Sequence, residues 1–268
     1  MSELFSAARE ALVESDPREK CRLTTELSSA WKSGSLAYEP GAILPDVTLA
    51  GRPDKPELVH PRDLPQRSLN SREGRAALIH ALTHIEFNAI NLALDAVFRF
   101  RRMPADYYSD WLRIASEESK HFRKLRKRLN KMDCHYGDFQ AHSGLWDMAM
   151  RTAHDPLHRM ALIPRVMEAR GVDVTPGMIK RFRSVGDLET VNILELILRE
   201  EIGHVMAGTR WFRYLCDERG VEADSTYLEL VHQYMGNSLH CPVHLEARLE
   251  AGFTESELEQ LAHMCRKA

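Results

Sequence analysis

The chain lacks any apolar run approaching the roughly twenty residues that a membrane-spanning helix requires, which excludes a helical membrane protein. Its opening, MSELFSAAREALVESD, places acids where a secretory signal carries a basic start and an apolar centre. The five cysteines (Cys21, Cys134, Cys216, Cys241 and Cys265) form no CxxC pair, so neither a zinc ribbon nor a disulfide framework is expected. They read as reduced thiols of a cytoplasmic protein. No GxGxxG loop is present to cradle a dinucleotide. β-Branched alternation is nearly absent, which argues against a sheet. With 268 residues and a formal charge of −3, the chain can bury a real core and has no net field that selects a partner.

What is present is helical periodicity, after an unusual first third. Residues 3–15 and 17–34 read as two helices, the second with Asp16 as cap and Pro17 in its first turn. From 36 to 71 the text is rich in Pro, Gly and Arg and keeps no period. It reads as an arm wrapped over the body, with Leu44, Val47, Leu49, Leu58, Val59 and Leu64 as anchors. We place a boundary there: 1–71 as N-terminal helices and arm, 72–268 as a helical bundle with a helical tail.

In the second part a long helix is predicted over 73–101, from Leu78, Leu82, Ile85, Ala89, Leu92 and Ala96 at three- and four-residue steps. Pro104 opens another to about 130, and a short one follows near Leu145–Thr152. Asp155-Pro156 starts a third long helix, which Gly171 is expected to end or break, with a further piece at 176–185. A fourth runs from Asp187 to Arg219 and stops at Gly220. The tail offers one or two more helices, near 224–235 and 254–266, split by Pro242. The fold class is all-α, a four-helix bundle with additional helices at both ends.

Two phrases on these helices echo each other: SEESKH at 116–121 and REEIGH at 199–204. Each sets a glutamate three residues before a histidine, so both side chains leave the same helix face. Alone, ExxH is weak. It also occurs at Glu57–His60, in the proline-rich arm, and at Glu229–His232, and a solvated polar face is its commoner meaning. The surroundings strengthen these two. Glu86 stands in the apolar run ALTHIEFNAINLAL, and Glu168 in ALIPRVMEARG, each about one helix upstream of its ExxH. A carboxylate among apolar neighbours is costly to bury unless it is paired or ligates a cation.

Glu86 and Glu118 also stand at similar distances from the turn near 102. Residues climb at about 1.5 Å each in both helices of a hairpin, so the two reach the same height. A Glu from each of two helices, with Glu-x-x-His from each of the other two, is the ligand set of di-iron and di-manganese carboxylate bundles. The candidate metal ligands are therefore Glu86, Glu118, His121, Glu168, Glu201 and His204. Four carboxylates and two imidazoles would nearly neutralise two divalent ions.

Over these stretches the sequence resembles the DUF455 family of bacterial ferritin-like proteins. The resemblance runs from the arm phrase RPDKPELVHPRDLP through GRAALIHALTHIEFNAINLALDAVFRF, DWLRIASEESKHFRKLRKRL and YGDFQAHSGLWDMAMRTAHD. It continues through RMALIPRVMEARGVDVTPGMI and ILREEIGHVMAGTRWFRYLC. It implies a ferritin-like fold and a dinuclear metal centre, and names no substrate. A more distant similarity reaches a di-iron tRNA hydroxylase that acts on a hypermodified adenosine. The family pattern favours the i,i+3 pairs over ligation by Glu117 or Glu200. Near the tail, His240 and His244 depart from the Pro-Phe-rich turn expected there.

The expectation is thus an O₂-activating oxidoreductase or hydroxylase. It would hold two iron ions (Mn/Fe or Mn/Mn being the alternatives), with Glu86 and Glu168 terminal and Glu118 and Glu201 bridging. It would need an external electron donor and a small-molecule or modified-nucleoside substrate. An iron-binding ferroxidase without organic substrate is the competing reading. A homodimer is compatible with either.

Other residues read more plainly. His84 lies about 200° round the helix from Glu86 and is expected outside the core; His80 is a candidate for supporting the ligands. Trp111, Tyr107, Tyr108 and Tyr214 read as packing. Ala115, Gly203 and Ala207 leave space for a ligand or for close helix approach. The basic run HFRKLRKRLNK, 121–131, complements a helix C-terminus and faces water, with an RNA contact as the minor reading.

Overall fold

A computed structural model describes residues 3–39, 44–65, 67–236 and 243–267. Among them every regular element is helical, and the only extended pairings are isolated bridges, Glu3 with Ala37 and Leu58 with Ala141. The chain divides into two compact units, Met1–Met150 and Arg151–Ala268.

The first unit holds α1 (Leu4–Val13), α2 (Pro17–Lys32), α3 (Arg72–Arg99), α4 (Ala105–Asn130) and α5 (Gly144–Arg151). Side-chain caps fix the starts. Asp16 accepts from the backbone N–H groups of Arg18 and Glu19, and Ser71 accepts from Gly74 N–H. A short turn joins α3 to α4, and the two pack as an antiparallel hairpin. α3 has buried residues on every side from Glu86 to Phe98, as a central helix must.

Its buried stripe is rotated from the one expected. Ile85 is 44% exposed, whereas His84 is buried. The Asp133–Ser143 segment causes this. The His84 ring has Nδ1 2.9 Å from the Tyr136 hydroxyl and Nε2 3.2 Å from the His142 carbonyl. Both ring nitrogens are thus engaged by that segment, and the Asn88 amide nitrogen lies 3.0 Å from Nε2 as well.

The arm is anchored at fewer places than its hydrophobicity suggests. Val47, Pro56 and Leu69 are buried, but Leu49 is 77% exposed. Backbone bonds contribute the rest: Val59 N–H to Ala141 carbonyl, Ala141 N–H to Glu57 carbonyl, and Gly51 N–H to Leu12 carbonyl.

The second unit holds α6 (Pro156–Leu162), a π-helical segment (Ile163–Glu168), α7 (Ala169–Ser184), α8 (Leu188–Arg219), α9 (Ala223–Met235), α10 (Leu245–Glu250) and α11 (Glu255–Lys267). Asp155 caps α6, and Gly220 ends α8 in the left-handed conformation at φ 64°. The break expected at Gly171 is not there. α7 runs through both Gly171 and Pro176, and the irregularity lies upstream, at Pro164. Proline has no N–H and crowds the carbonyl of the preceding turn, so the helix widens instead of stopping. Ala169 N–H then bonds Pro164 carbonyl, the i→i−5 pattern of a π turn.

α8 packs on both the π segment and α7. A Cβ at Gly208 would lie 2.3 Å from the Pro164 ring, so glycine is what lets α8 approach the bulge. The four long helices of a ferritin-like bundle are therefore present, two in each unit: α3 and α4, then α6–α7 and α8. The tail segment holding His240, Cys241 and Pro242 lies outside the described residues, whereas His244 caps α10.

Candidate metal centre

In the first unit α3 supplies Glu86 and α4 supplies Glu118 and His121, and all three are buried. His121 Nδ1 lies 3.2 Å from Glu86 Oε2 and 3.2 Å from Glu118 Oε2. One ligand atom from each of the three falls within 4.8 Å of the others. Ligand atoms that share an ion at about 2.0–2.2 Å sit about 3 Å apart from one another, which is the spacing here.

The electrostatics agree with the geometry. Burial raises the Glu86 carboxyl well above its ordinary range, and the neighbouring Glu118 carboxylate adds to the rise. Burial works against protonation of His121, but its contacts with Glu118 and Glu86 outweigh that and lift it to about 11. Without a cation the cluster therefore retains a proton at neutral pH. A divalent ion of the carboxylate- and imidazole-binding kind fits the same donors and satisfies both carboxylates at once.

In the second unit Glu168 closes the π segment, and Glu201 and His204 lie one turn apart on α8. The His204 ring is buried, with Nδ1 3.4 Å from Glu201 Oε1, and the Glu201 side chain is 12% exposed. The spacing predicted from ExxH is thus realised on both α4 and α8. Glu117 points elsewhere, bonded at 2.8 Å to Arg113 on the outer face of α4.

Two histidines near Glu86 have other partners. His80 Nε2 accepts from Gly137 N–H at 2.9 Å and its ring stacks on Tyr136, so it secures the 133–143 segment. Burial drops both His80 and His84 to about 4, which leaves them neutral. Trp111 is buried against Tyr107, as packing.

Sequence reasoning missed the support of Glu168. The Arg165 guanidinium, on the π segment, is fully buried among the rings of Tyr227, Phe253 and Phe212, at 4.0, 4.4 and 4.7 Å from their centroids. It donates to Glu257 of α11 at 2.6 Å. Its backbone carbonyl accepts from the Tyr227 hydroxyl and from Arg248, which in turn pairs with Asp173. The bulge is therefore held by charge, rings and backbone together. A proline inside an apolar helical run was the available signal.

The family model described as "Protein of unknown function (DUF455)" matches residues 13–259. A Haemophilus influenzae protein, described as uncharacterized, is 43% identical over 270 residues, covering 97% of this chain and 93% of its own length. No solved structure matches. With the match extending over nearly the whole chain and taking in both glutamate–histidine helices, this chain belongs to the DUF455 family of ferritin-like proteins.

Proposed function

We propose that the protein is a dinuclear metal–carboxylate oxidoreductase, with iron as the native metal. Glu86, Glu118 and His121 of the first unit hold one half of the centre, and Glu168, Glu201 and His204 of the second hold the other. The observation that carries this reading is the buried His121 ring whose Nδ1 lies 3.2 Å from both the Glu86 and the Glu118 carboxylate. Such a cluster is costly to bury unless a cation compensates it. The repeat of the same residue types on α8, with His204 as fully buried as His121, supports a second half of like chemistry.

Two ferrous ions held this way would supply dioxygen binding and oxidation of an organic substrate. The chain's own contribution is different. Its carboxylates bind the cations, on two helices whose neighbouring Phe87 and Phe122 are buried and pack on each other. His121 holds the proton that cation binding must displace. The reading takes an external electron donor, since no nucleotide-cofactor motif is present. A small organic molecule or a modified nucleoside is the substrate class. A reducing, cytoplasmic compartment belongs to the same proposal, supported by the buried free thiols of Cys21 and Cys216.

The test is metal analysis of the purified chain, beside dioxygen uptake by its ferrous form. About two transition-metal ions per chain are expected, with loss of both in Glu118→Ala/Glu201→Ala. Unchanged stoichiometry in that double variant overturns the ligand assignment. Assemblies that accumulate many irons per chain would replace the oxidoreductase reading by iron storage.

A further inference from the structure

The first unit contains a second built site, on another side of α3. A cleft of about 450 Å³ lies among the arm, α3 and α5, lined by Arg52, Phe87, Asn88, Asn91 and Trp146. Residues turn about 100° each round a helix, so Asn91 lies about 140° from Glu86 and Asn88 about 200°. The helix that presents a carboxylate to α4 on one side presents two carboxamides to this cleft on the other.

The carboxamides are its telling feature. Asn91 is 2% exposed, and its Oδ1 has no hydrogen-bond partner in the chain. A buried amide oxygen left unpaired costs stability, so natural cores rarely keep one without a use for it. Asn88 is oriented by its own helix: Nδ2 donates at 3.0 Å to the His84 carbonyl, which can only accept. That pins the amide nitrogen, which also lies 3.0 Å from His84 Nε2, and leaves Asn88 Oδ1 as a second acceptor among the lining residues.

The walls indicate the rest. Phe87 and Trp146 offer aromatic faces, and the Trp146 indole N–H is already spent on the Thr48 carbonyl. The rim carries one cation, Arg52, tied to the carbonyls of Pro53 and Pro56, and one anion, Asp147, which accepts from Ser143. Neither sign dominates. Asn91 and Asn88 ask for N–H donors, the rings for a flat partner, and the balanced rim for no net charge.

We propose that this cleft binds an uncharged planar aromatic carboxamide or lactam, whose N–H edge is read by Asn91 and Asn88 between Phe87 and Trp146. The site is separate from the metal ligands and does not rest on the metal reading.

The probe is nicotinamide, titrated into the full-length protein and followed by ligand-observed NMR, with methyl nicotinate as the ring that lacks the N–H donors. Saturable nicotinamide binding is expected, weakened about tenfold for the ester by loss of the hydrogen bonds. Asn91→Leu should weaken nicotinamide by about tenfold while melting at or above the wild-type temperature, because it removes an unpaired buried amide. Ala50→Trp, at the rim, should block binding without touching α3. Absence of saturable nicotinamide binding overturns the proposal. So does binding that is unchanged in Asn91→Leu, or in Ala50→Trp should the first variant fail to fold.

Discussion

Glu118 Oε2 lies 3.2 Å from the buried His121 Nδ1, one turn further along α4. That contact, with the one to Glu86, outweighs burial and makes His121 hold its proton up to about 11. A metal must expel that proton. The cluster is therefore a pH-dependent cation site before any reaction is considered.

The sign follows from the two raised values. Glu86 and His121 both bind protons more tightly folded than unfolded. Their contribution to the metal-free protein is complete below their unfolded values and is lost as pH rises through the folded ones. The metal competes with those protons, so the stabilisation given by Mn²⁺ over chelator should grow with pH. Affinity should rise up to about tenfold per pH unit for each proton released. Thermal melts at about pH 6 and pH 8.5, with Mn²⁺ and with chelator, check this. A metal-induced shift that is flat or falling with pH would contradict it.

The contact between Gly208 and Pro164 gives a sharper structural test. A methyl group at 208 would stand 2.3 Å from the proline ring, whereas nothing lies within 4 Å of a Cβ built at Gly203. Gly208→Ala should cost about 1–3 kcal/mol through overpacking. Gly203→Ala should be neutral or stabilising by up to about 1 kcal/mol, the helix-propensity gain. Paired denaturant titrations separate the two. Equal effects would mean that α8 does not need its close approach to the π segment.

These two glycines also mark where the sequence was readable. Helix positions follow from caps and period: Asp16, Asp155 and Gly220 set boundaries that residue types alone dictate. ExxH spacing is local, and three residues on a helix bring a glutamate to a histidine whatever the rest of the fold does. The rotated stripe of α3 was not legible, because Tyr136 and the His142 carbonyl, distant in sequence, draw His84 inward and leave Ile85 outside. Nor was the π segment. Gly171 looked like the weaker point, but a glycine with open space beside it is tolerated in a helix, while Pro164 forces a change of hydrogen-bond register. Asn88 and Asn91 stood in plain view beside Glu86; only the cleft gives them a meaning.

Arg165 joins the bulge to the tail of the chain, and removing it tests that link. Arg165→Met leaves Glu257 buried without its cation and takes the charge from between three rings. The expected loss is about 3–5 kcal/mol, since breaking a buried pair leaves the other charge uncompensated. Arg165→Met/Glu257→Leu should recover a large part of it. Protection of α11 amides from hydrogen exchange should fall in the single variant and return in the double. If α11 stays protected in Arg165→Met, the pair does not hold it.

Lys20 provides a pH effect of opposite sign that must be separated from the metal cluster. Its side chain is buried, and Nζ donates to the carbonyls of Ala11 and Leu12 at the end of α1, at 2.9 and 2.7 Å. Burial lowers its pKa to about 7. A depressed amine costs stability while protonated, and the cost fades as pH rises from about 7 toward the unfolded value. Lys20→Met lacks that term but leaves two helix carbonyls without a donor. Wild type should therefore gain on the variant between about pH 7 and pH 10, by about 1–3 kcal/mol. Chelator-treated protein isolates the comparison, because both chains then carry the same metal-free cluster. A difference independent of pH would mean that Lys20 stays charged at the end of α1 and acts there as an ordinary cap.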